Sequence, residues 1–267
     1  MTEDLDELGN DDLRVDVSDD GLVARATIDR PDRRNALGET VMRGLLALIE
    51  AADESEVRVV VVRGGEDVFS AGGDFTEMPI GGTAQEYRES FAGLSRVMLA
   101  LRDCSALTVA AVDGDCLAGG LGLAASCEFL VASESASFAT PEVDVGLFPV
   151  QAMVPIMRTV PEKRGLKLLF TGESIDAHEA HDMGLVTDVY PEHEFDEGLD
   201  SFVDALAASS PVMISMGKEA YHEQRGRDFE SALAYCREVI ALMAMSEDTE
   251  EGIEAFMMDR QPEWSGR

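Results

Sequence analysis

VRVVVVRG (residues 57–64), followed by DVFSAGGDFTEM (67–78), is the stretch on which the fold turns. The first part is a continuous β-branched run without polar alternation. That pattern predicts a strand buried on both faces, as in a parallel sheet covered by helices. The second part places Ala71, Gly72 and Gly73 between Phe69 and Phe75, where such a strand should hand over to a helix. Adjacent glycines there serve a tight turn, or a backbone that something must approach closely.

The pattern recurs downstream. LTVAAVDG (107–114) reads as a second buried strand, and DCLAGGLGLAASC (115–127) follows it with another glycine-rich opening to a helix. LVARATIDR (22–30), FLVAS (129–133) and SFAT (137–140) read as strands. Residues 37–52 carry Val41, Leu45, Leu48 and Ile49 on one helical face. Residues 84–103 space Tyr87, Phe91, Leu94, Val97 and Leu101 at threes and fours, so both segments are predicted helices. From about Pro149 helices predominate, interrupted by GLVTDVYP (184–191). This order predicts an α/β core with a helical C-terminal portion.

The bulk numbers narrow the function. The chain has 267 residues, 45% of them hydrophobic, enough for one large domain with its own core. No apolar run approaches the ~20 residues of a membrane-spanning helix. The N-terminus, MTEDLDELGNDDLRV, is acidic and lacks a signal-peptide pattern. It reads as a short solvated tail over residues 1–12, and a cytoplasmic location is expected. Cys104, Cys116, Cys127 and Cys236 form no C-x-x-C pair and read as reduced, small apolar residues. The formal net charge is −32, and lysine occurs only at 163, 167 and 218. A field this negative opposes nucleic acid and anionic membranes. It also strains the compact state unless salt screens it, and the screening length falls to ~3 Å at 1 M salt. An acidic, lysine-poor chain suits a high-salt cytoplasm.

Two places bring glycine to the carboxyl end of a buried strand: SAGGD (70–74) and AGGLG (118–122). Ligands of open α/β sheets bind at such ends. Two backbone N–H groups converging on one oxygen make an oxyanion hole, each donor stabilising a transition state by roughly 3 kcal/mol. Taken by glycine content alone, two unrelated tight turns are the favoured explanation of these segments. Competing motifs are absent: there is no P-loop, no G-x-G-x-x-G and no G-x-S-x-G. His178 and His181 lie on a charged helical stretch and read as solvated, so no metal is expected.

At this point five ordered blocks resemble the crotonase superfamily, the enoyl-CoA hydratases and isomerases. They are TIDRPDRRNAL (27–37), FSAGGDFTEM (69–78), AAVDGDCLAGGLGLAASCE (110–128), FATPEVDVGLFP (138–149) and GLKLLFTGESIDAHEAHDMGLVTDVYP (165–191). EGIEAFMMDRQPEW (251–264) resembles the family's closing helix. The resemblance implies a crotonase (ClpP-like) spiral of β-β-α units over 13–200 and a helical trimerisation region over 201–267, in a homotrimer or dimer of trimers. It implies an acyl-CoA thioester as substrate, with coenzyme A arriving as part of it and no permanently bound cofactor. The thioester oxygen would be held by the N–H groups of Ala71 and Gly119. Gly72 and Gly73 would keep the loop open, and Asp74 would stand beside the CoA or cap the next helix. Arg33, Arg34, Ala36 and Leu37 would line the adenine end. Glu142 would handle the proton, its pKa raised by apolar neighbours.

The pattern breaks at Gly122, where typical hydratases carry a second glutamate. One carboxylate suffices to shuttle a proton between two carbons, whereas hydration is easier with two. Hydration of a 2-enoyl-CoA is the first expectation and 3,2-enoyl-CoA isomerisation the second. A weakly catalytic acyl-CoA-binding protein is the reading from another class. Val150 stands where dienoyl isomerases carry a further acid, and Asp259 replaces the lysine before Arg260. Met78, Phe91, Met98, Phe138 and Phe148 are candidates for the acyl pocket. The charge makes one prediction: the melting temperature rises from low to molar KCl, and an unchanged midpoint would remove salt adaptation.

Overall fold

In the computed structural model, which describes residues 5–65 and 67–267, the two buried runs become neighbouring strands of one sheet. Six strands build it: β1 (Leu13–Val17), β2 (Val23–Ile28), β3 (Val59–Gly64), β5 (Leu107–Val112), β7 (Phe129–Ser133) and β10 (Asp188–Tyr190), in the order β1-β2-β3-β5-β7-β10. Only β1 runs antiparallel to its neighbour. A second sheet has the order β4-β6-β8-β9, from β4 (Val68–Ser70), β6 (Asp115–Leu117), β8 (Ser137–Ala139) and β9 (Ile175–Asp176). Its first three strands are parallel.

The two sheets are threaded together. β3, β5 and β7 lie in the large sheet, and each passes through a short corner into β4, β6 or β8 of the small one. α2 (Ala84–Asp103) follows β4 and α3 (Gly119–Ala124) follows β6, which makes the expected spiral of β-β-α units. The corners are tight enough to demand glycine. A Cβ on Gly114 would stand 1.8 Å from the Asp67 carbonyl oxygen.

Strand β3 behaves as its composition dictates. Val60 and Val62 enter a core shared with Val41, Leu45 and Leu48 of α1 (Glu39–Asp53) and with Val97 and Leu101 of α2. Val59 and Val61 face the other way, onto Phe195, Leu199 and Val203 of α7 (Phe195–Ala207). Four fully buried valines contribute roughly 1.5–3 kcal/mol each by leaving water. The expected division at 200/201 therefore falls inside α7, which covers the large sheet and belongs to the core.

The expected tail also differs. Residues 1–4 lie outside the described residues. Leu5–Leu8 form one 3-10 turn, with Leu5 and Leu8 packed on the core and the Asp6 carboxylate accepting the Val17 N–H at 2.8 Å. Residues 5–12 are thus docked, because two leucines and the edge strand β1 give them something to bind.

After α4 (Met153–Thr159), α5 (Glu162–Thr171) and α6 (Ala177–Asp182) come the C-terminal helices α8 (Pro211–Gln224), α9 (Phe229–Met243) and α10 (Glu247–Met258). α8 is anchored by Lys218, whose buried ammonium donates to the Leu101 and Ala106 carbonyls at 2.7 Å and meets Glu128 at 3.0 Å. Burial pushes the Glu128 carboxyl up, but His222, Lys218 and Thr108 outweigh it and hold it below the ordinary range. α9 buries nothing: Phe229, Leu233, Ile240 and Leu242 of its apolar face are all more than half exposed. Among the described residues no helix is long and apolar enough to cross a membrane.

Candidate active site

Strands β4, β6 and β8 end side by side, and the segments leaving them are the three that the sequence singled out. β4 runs into Ala71–Asp74, β6 into Ala118 and Gly119, and β8 into Thr140–Glu142. The last two are joined directly, since Ala118 N–H donates to the Ala139 carbonyl at 2.9 Å. Ala118 has φ 53°, a strained value for a residue with a Cβ, worth about 1–3 kcal/mol. It turns the chain so that Gly119 opens α3, where a first-turn N–H has no helical acceptor.

Segment 71–74 does not enter a helix as expected. It continues as a loop to Thr83, which caps α2 by a reciprocal exchange with Glu86. The loop is sewn instead onto residues 34–37. Ala71 N–H donates to the Arg34 carbonyl at 3.0 Å, and Leu37 N–H donates to the Gly72 carbonyl at 2.7 Å.

Those two bonds correct the sequence reading. The Ala71 N–H is already occupied and cannot receive a ligand oxygen. The Gly72–Gly73 peptide is planar and trans, so holding its C=O toward Leu37 turns the Gly73 N–H the opposite way. Gly73 N lies 3.7 Å from where a Cβ on Gly119 would stand, and Gly119 N is 3.3 Å from one built on Gly72. Neither Gly73 N–H nor Gly119 N–H has a partner among the described residues. The neighbouring unpartnered pair is therefore Gly73 and Gly119. Gly72 fills the seam between the loops at φ 98°, with Ala118 Cβ only 2.6 Å from its own missing Cβ.

Glu142 follows β8 on a 3-10 turn, Pro141–Val145. It is half-buried, and its Oε2 is enclosed with no hydrogen-bond partner among the described residues. Burial pushes its carboxyl above the ordinary glutamate value. An enclosed, unpaired carboxyl oxygen is costly unless a ligand completes it.

Asp74 is committed within the protein. Its carboxylate accepts from Thr76 N–H at 2.9 Å and Thr76 Oγ1 at 2.6 Å and meets Arg30 at 3.0 Å. Burial would raise it, but these contacts hold it below the usual carboxylate range. It pins the loop and caps no helix. Arg30, which sequence reasoning passed over, is the partly buried cation here; it also donates to the Ala36 carbonyl at 2.7 Å. Arg33 and Arg34 are exposed at the loop's rim, Arg34 paired with Asp115 at 2.6 Å. Of the acyl-pocket candidates, Phe138 is wholly in the core. At Gly122 there is no room for a side chain: its Cβ would stand 2.8 Å from Ala152 Cβ and from Met98 Cε.

Two neighbouring unpartnered backbone N–H groups and an enclosed carboxyl thus stand at the strand ends of the small sheet in a spiral of β-β-α units. Comparison with known proteins gives the family. The family model described as enoyl-CoA hydratase/isomerase matches residues 19–267. The chain is 35% identical over 245 residues to the mitochondrial enoyl-CoA hydratase domain-containing protein 3 of Rattus norvegicus, covering 91% of this chain and 81% of that one. It is 32% identical over 253 residues to the 2,3-dehydroadipyl-CoA hydratase of Escherichia coli, covering 94% and 98%. A crystal structure of an enoyl-CoA hydratase from Mycobacterium smegmatis superposes with a TM-score of 0.91 at 33% identity, over 96% of this chain and 99% of that one. The chain belongs to the enoyl-CoA hydratase/isomerase family of the crotonase superfamily.

The glycine geometry is tested by stability. Gly73→Ala should unfold with wild-type stability, because its Cβ would meet nothing within 4 Å. Gly72→Ala and Gly122→Glu should each lose about 1–3 kcal/mol in denaturant titrations, through strain and overpacking. Three equal midpoints would contradict the packing described.

Proposed function

We propose that the enzyme hydrates a 2-enoyl-CoA to a 3-hydroxyacyl-CoA, a step of acyl-CoA breakdown. The thioester oxygen is received by the N–H groups of Gly73 and Gly119. Glu142 as carboxylate takes a proton from water while the water oxygen bonds to C3. Charge passes to the thioester oxygen, where each donor stabilises it by roughly 3 kcal/mol. The same carboxyl then returns its proton to C2, and the thioester carbonyl re-forms. One group suffices because it is first base, then acid. The observation that carries this reading is the pair of unpartnered N–H groups beside the strand end that carries an enclosed, unpaired Glu142. The dehydroadipyl-CoA hydratase relationship supports hydration as the first choice.

A second reading, 3,2-enoyl-CoA isomerisation, is favoured by Gly122. Ala152 and Met98 fill the space a second carboxylate would need, which leaves Glu142 to move a proton from C2 to C4 alone. In either case coenzyme A comes with the substrate, and no resident cofactor enters the steps. The exposed rim at Arg33 and Arg34, with Ala36 and Leu37 beside it, is the proposed CoA side. A cytoplasmic, high-salt setting remains part of this reading on the strength of the charge.

Assembly is proposed as a homotrimer or pair of trimers. The uncovered apolar face of α9 supports it, since such a face is otherwise a liability in water. Light scattering in molar KCl should give three or six chain masses; a single-chain mass would refute it.

Mass spectrometry of 2-butenoyl-CoA incubated with the enzyme tests the reaction. Gain of one water, abolished by Glu142→Gln, is expected. Because burial raises the Glu142 carboxyl and the base form starts the reaction, kcat/KM should fall with pH through a midpoint above the ordinary value of 4.5. A wild type that leaves this thioester unchanged but converts a 3-enoyl-CoA would transfer the assignment to isomerisation. Tight CoA binding with no Glu142-dependent turnover would leave a binding protein.

A further inference from the structure

Asn35 is wholly buried, and among the described residues its side chain makes no hydrogen bond to segments 71–74 or 118–119. Its carboxamide is nonetheless fully used. Nδ2 donates to the Gly65 carbonyl at 2.8 Å and to the Val68 carbonyl, and Oδ1 accepts the Arg30 N–H at 2.8 Å. One amide thus ties the end of β2, the corner after β3 and the start of β4. The orientation is unambiguous, because two carbonyl acceptors require the NH2 end and one N–H donor requires the oxygen.

The backbone here is unusual as well. Arg34 and Asn35 are consecutive residues in the left-handed region, at φ 48° and 54°. Asn35 N–H donates to the Arg30 carbonyl at 3.0 Å, closing the turn on itself. Residues with a Cβ hold such angles only when their surroundings over-determine them. Here the surroundings are the three bonds of the Asn35 side chain. The left-handed pair aims the Arg34 carbonyl at Ala71 N–H and brings Leu37 N–H to the Gly72 carbonyl. Those are the two bonds that fix the Gly72–Gly73 peptide beside Gly119.

We infer that Asn35 is the positioning residue of the oxyanion hole: its amide clamps turn 30–36 so that the turn dictates the direction of the Gly73 N–H. This rests on the reading of Gly73 and Gly119 as the thioester-oxygen site. It separates Asn35 from its neighbours Arg33 and Arg34, whose side chains lie at the rim. Aspartate cannot replace it, since a carboxylate would face two carbonyl oxygens with nothing to donate. Glycine can adopt the left-handed angle but makes no clamp.

The test reads the hole itself. In a Glu142→Gln background, which stops turnover, 2-butenoyl-CoA carrying carbon-13 at the thioester carbonyl is bound and its carbonyl stretch recorded by isotope-edited infrared spectroscopy. The stretch should move to lower wavenumber on binding. Adding Asn35→Gly should abolish most of that movement while the Kd for the thioester changes little. Asn35→Asp should do the same. In the otherwise wild-type enzyme, Asn35→Gly should lower kcat about tenfold to hundredfold with KM nearly unchanged. Ser210→Ala serves as the stability control: it removes a buried 2.6 Å bond to Asp248 far along the chain, and should lower the melting temperature without altering kcat or the carbonyl stretch. A carbonyl shift that survives Asn35→Gly and Asn35→Asp would overturn the assignment. So would failure of both variants to fold while Ser210→Ala folds, because the amide would then hold the fold rather than the hole. No shift in Glu142→Gln itself, with the thioester bound, would remove the hole and the inference with it.

Discussion

The direction of one peptide plane, that between Gly72 and Gly73, is the constraint on which the proposed site depends. A peptide group has a donor and an acceptor on opposite edges, and fixing one fixes the other. The Gly72 carbonyl is fixed by Leu37, so the Gly73 N–H has a single direction available. Everything around it maintains that geometry. The strand β4 delivers the loop, Arg30 and Thr76 pin its far end through Asp74, and Ala118 accepts a strained backbone to present the opposing N–H of Gly119.

The two-sheet spiral explains why such an arrangement is affordable. A single parallel sheet would place strand ends in one row, with helices between them. Here each strand of the large sheet is followed by a short strand of a second sheet, so three loops converge without helices intervening. Burial of the large sheet on both faces supplies the stability against which local strain is tolerated. Lys218 and Glu128 tie the C-terminal helices to that core from a site lined by the α2–β5 turn. A buried pair of this kind is weak evidence for net stability, but neither charge can be lost alone without exposing the other to an apolar interior.

The surface tells a different story from the site. With −32 formal charges, a substrate bearing phosphates meets repulsion at long range. The arginines near the candidate CoA side are mostly engaged with acids, Arg30 with Asp74 and Arg34 with Asp115. Local neutral pairs there reduce the repulsion that free carboxylates would add, and mobile salt reduces the remainder.

Much of this was legible in the chain. Uninterrupted valines at 59–62 required two apolar environments, and the structure supplies them as alternate faces of β3. The apolar spacing of α1 and α2 and the glycines after the buried strands follow from residue chemistry and near-neighbour periodicity, whereas Glu142 was singled out by its resemblance to the family motif. The docked residues 5–12, the membership of α7 in the core and the choice of Gly73 over Ala71 do not. Ala71, Gly72 and Gly73 each bring one N–H; that of Gly72 is taken locally by Ser70 Oγ at 3.1 Å, but nothing local distinguishes Ala71 from Gly73. The distinction comes from residues 34–37, more than thirty positions earlier, whose carbonyl and N–H claim two of the available partners. The sequence by itself determined which segments could be buried and which residue types could do the chemistry, because those are properties of side chains and their spacing. Only the tertiary structure decided which backbone groups were left unpaired, because hydrogen bonding between distant segments is settled by where the chain returns.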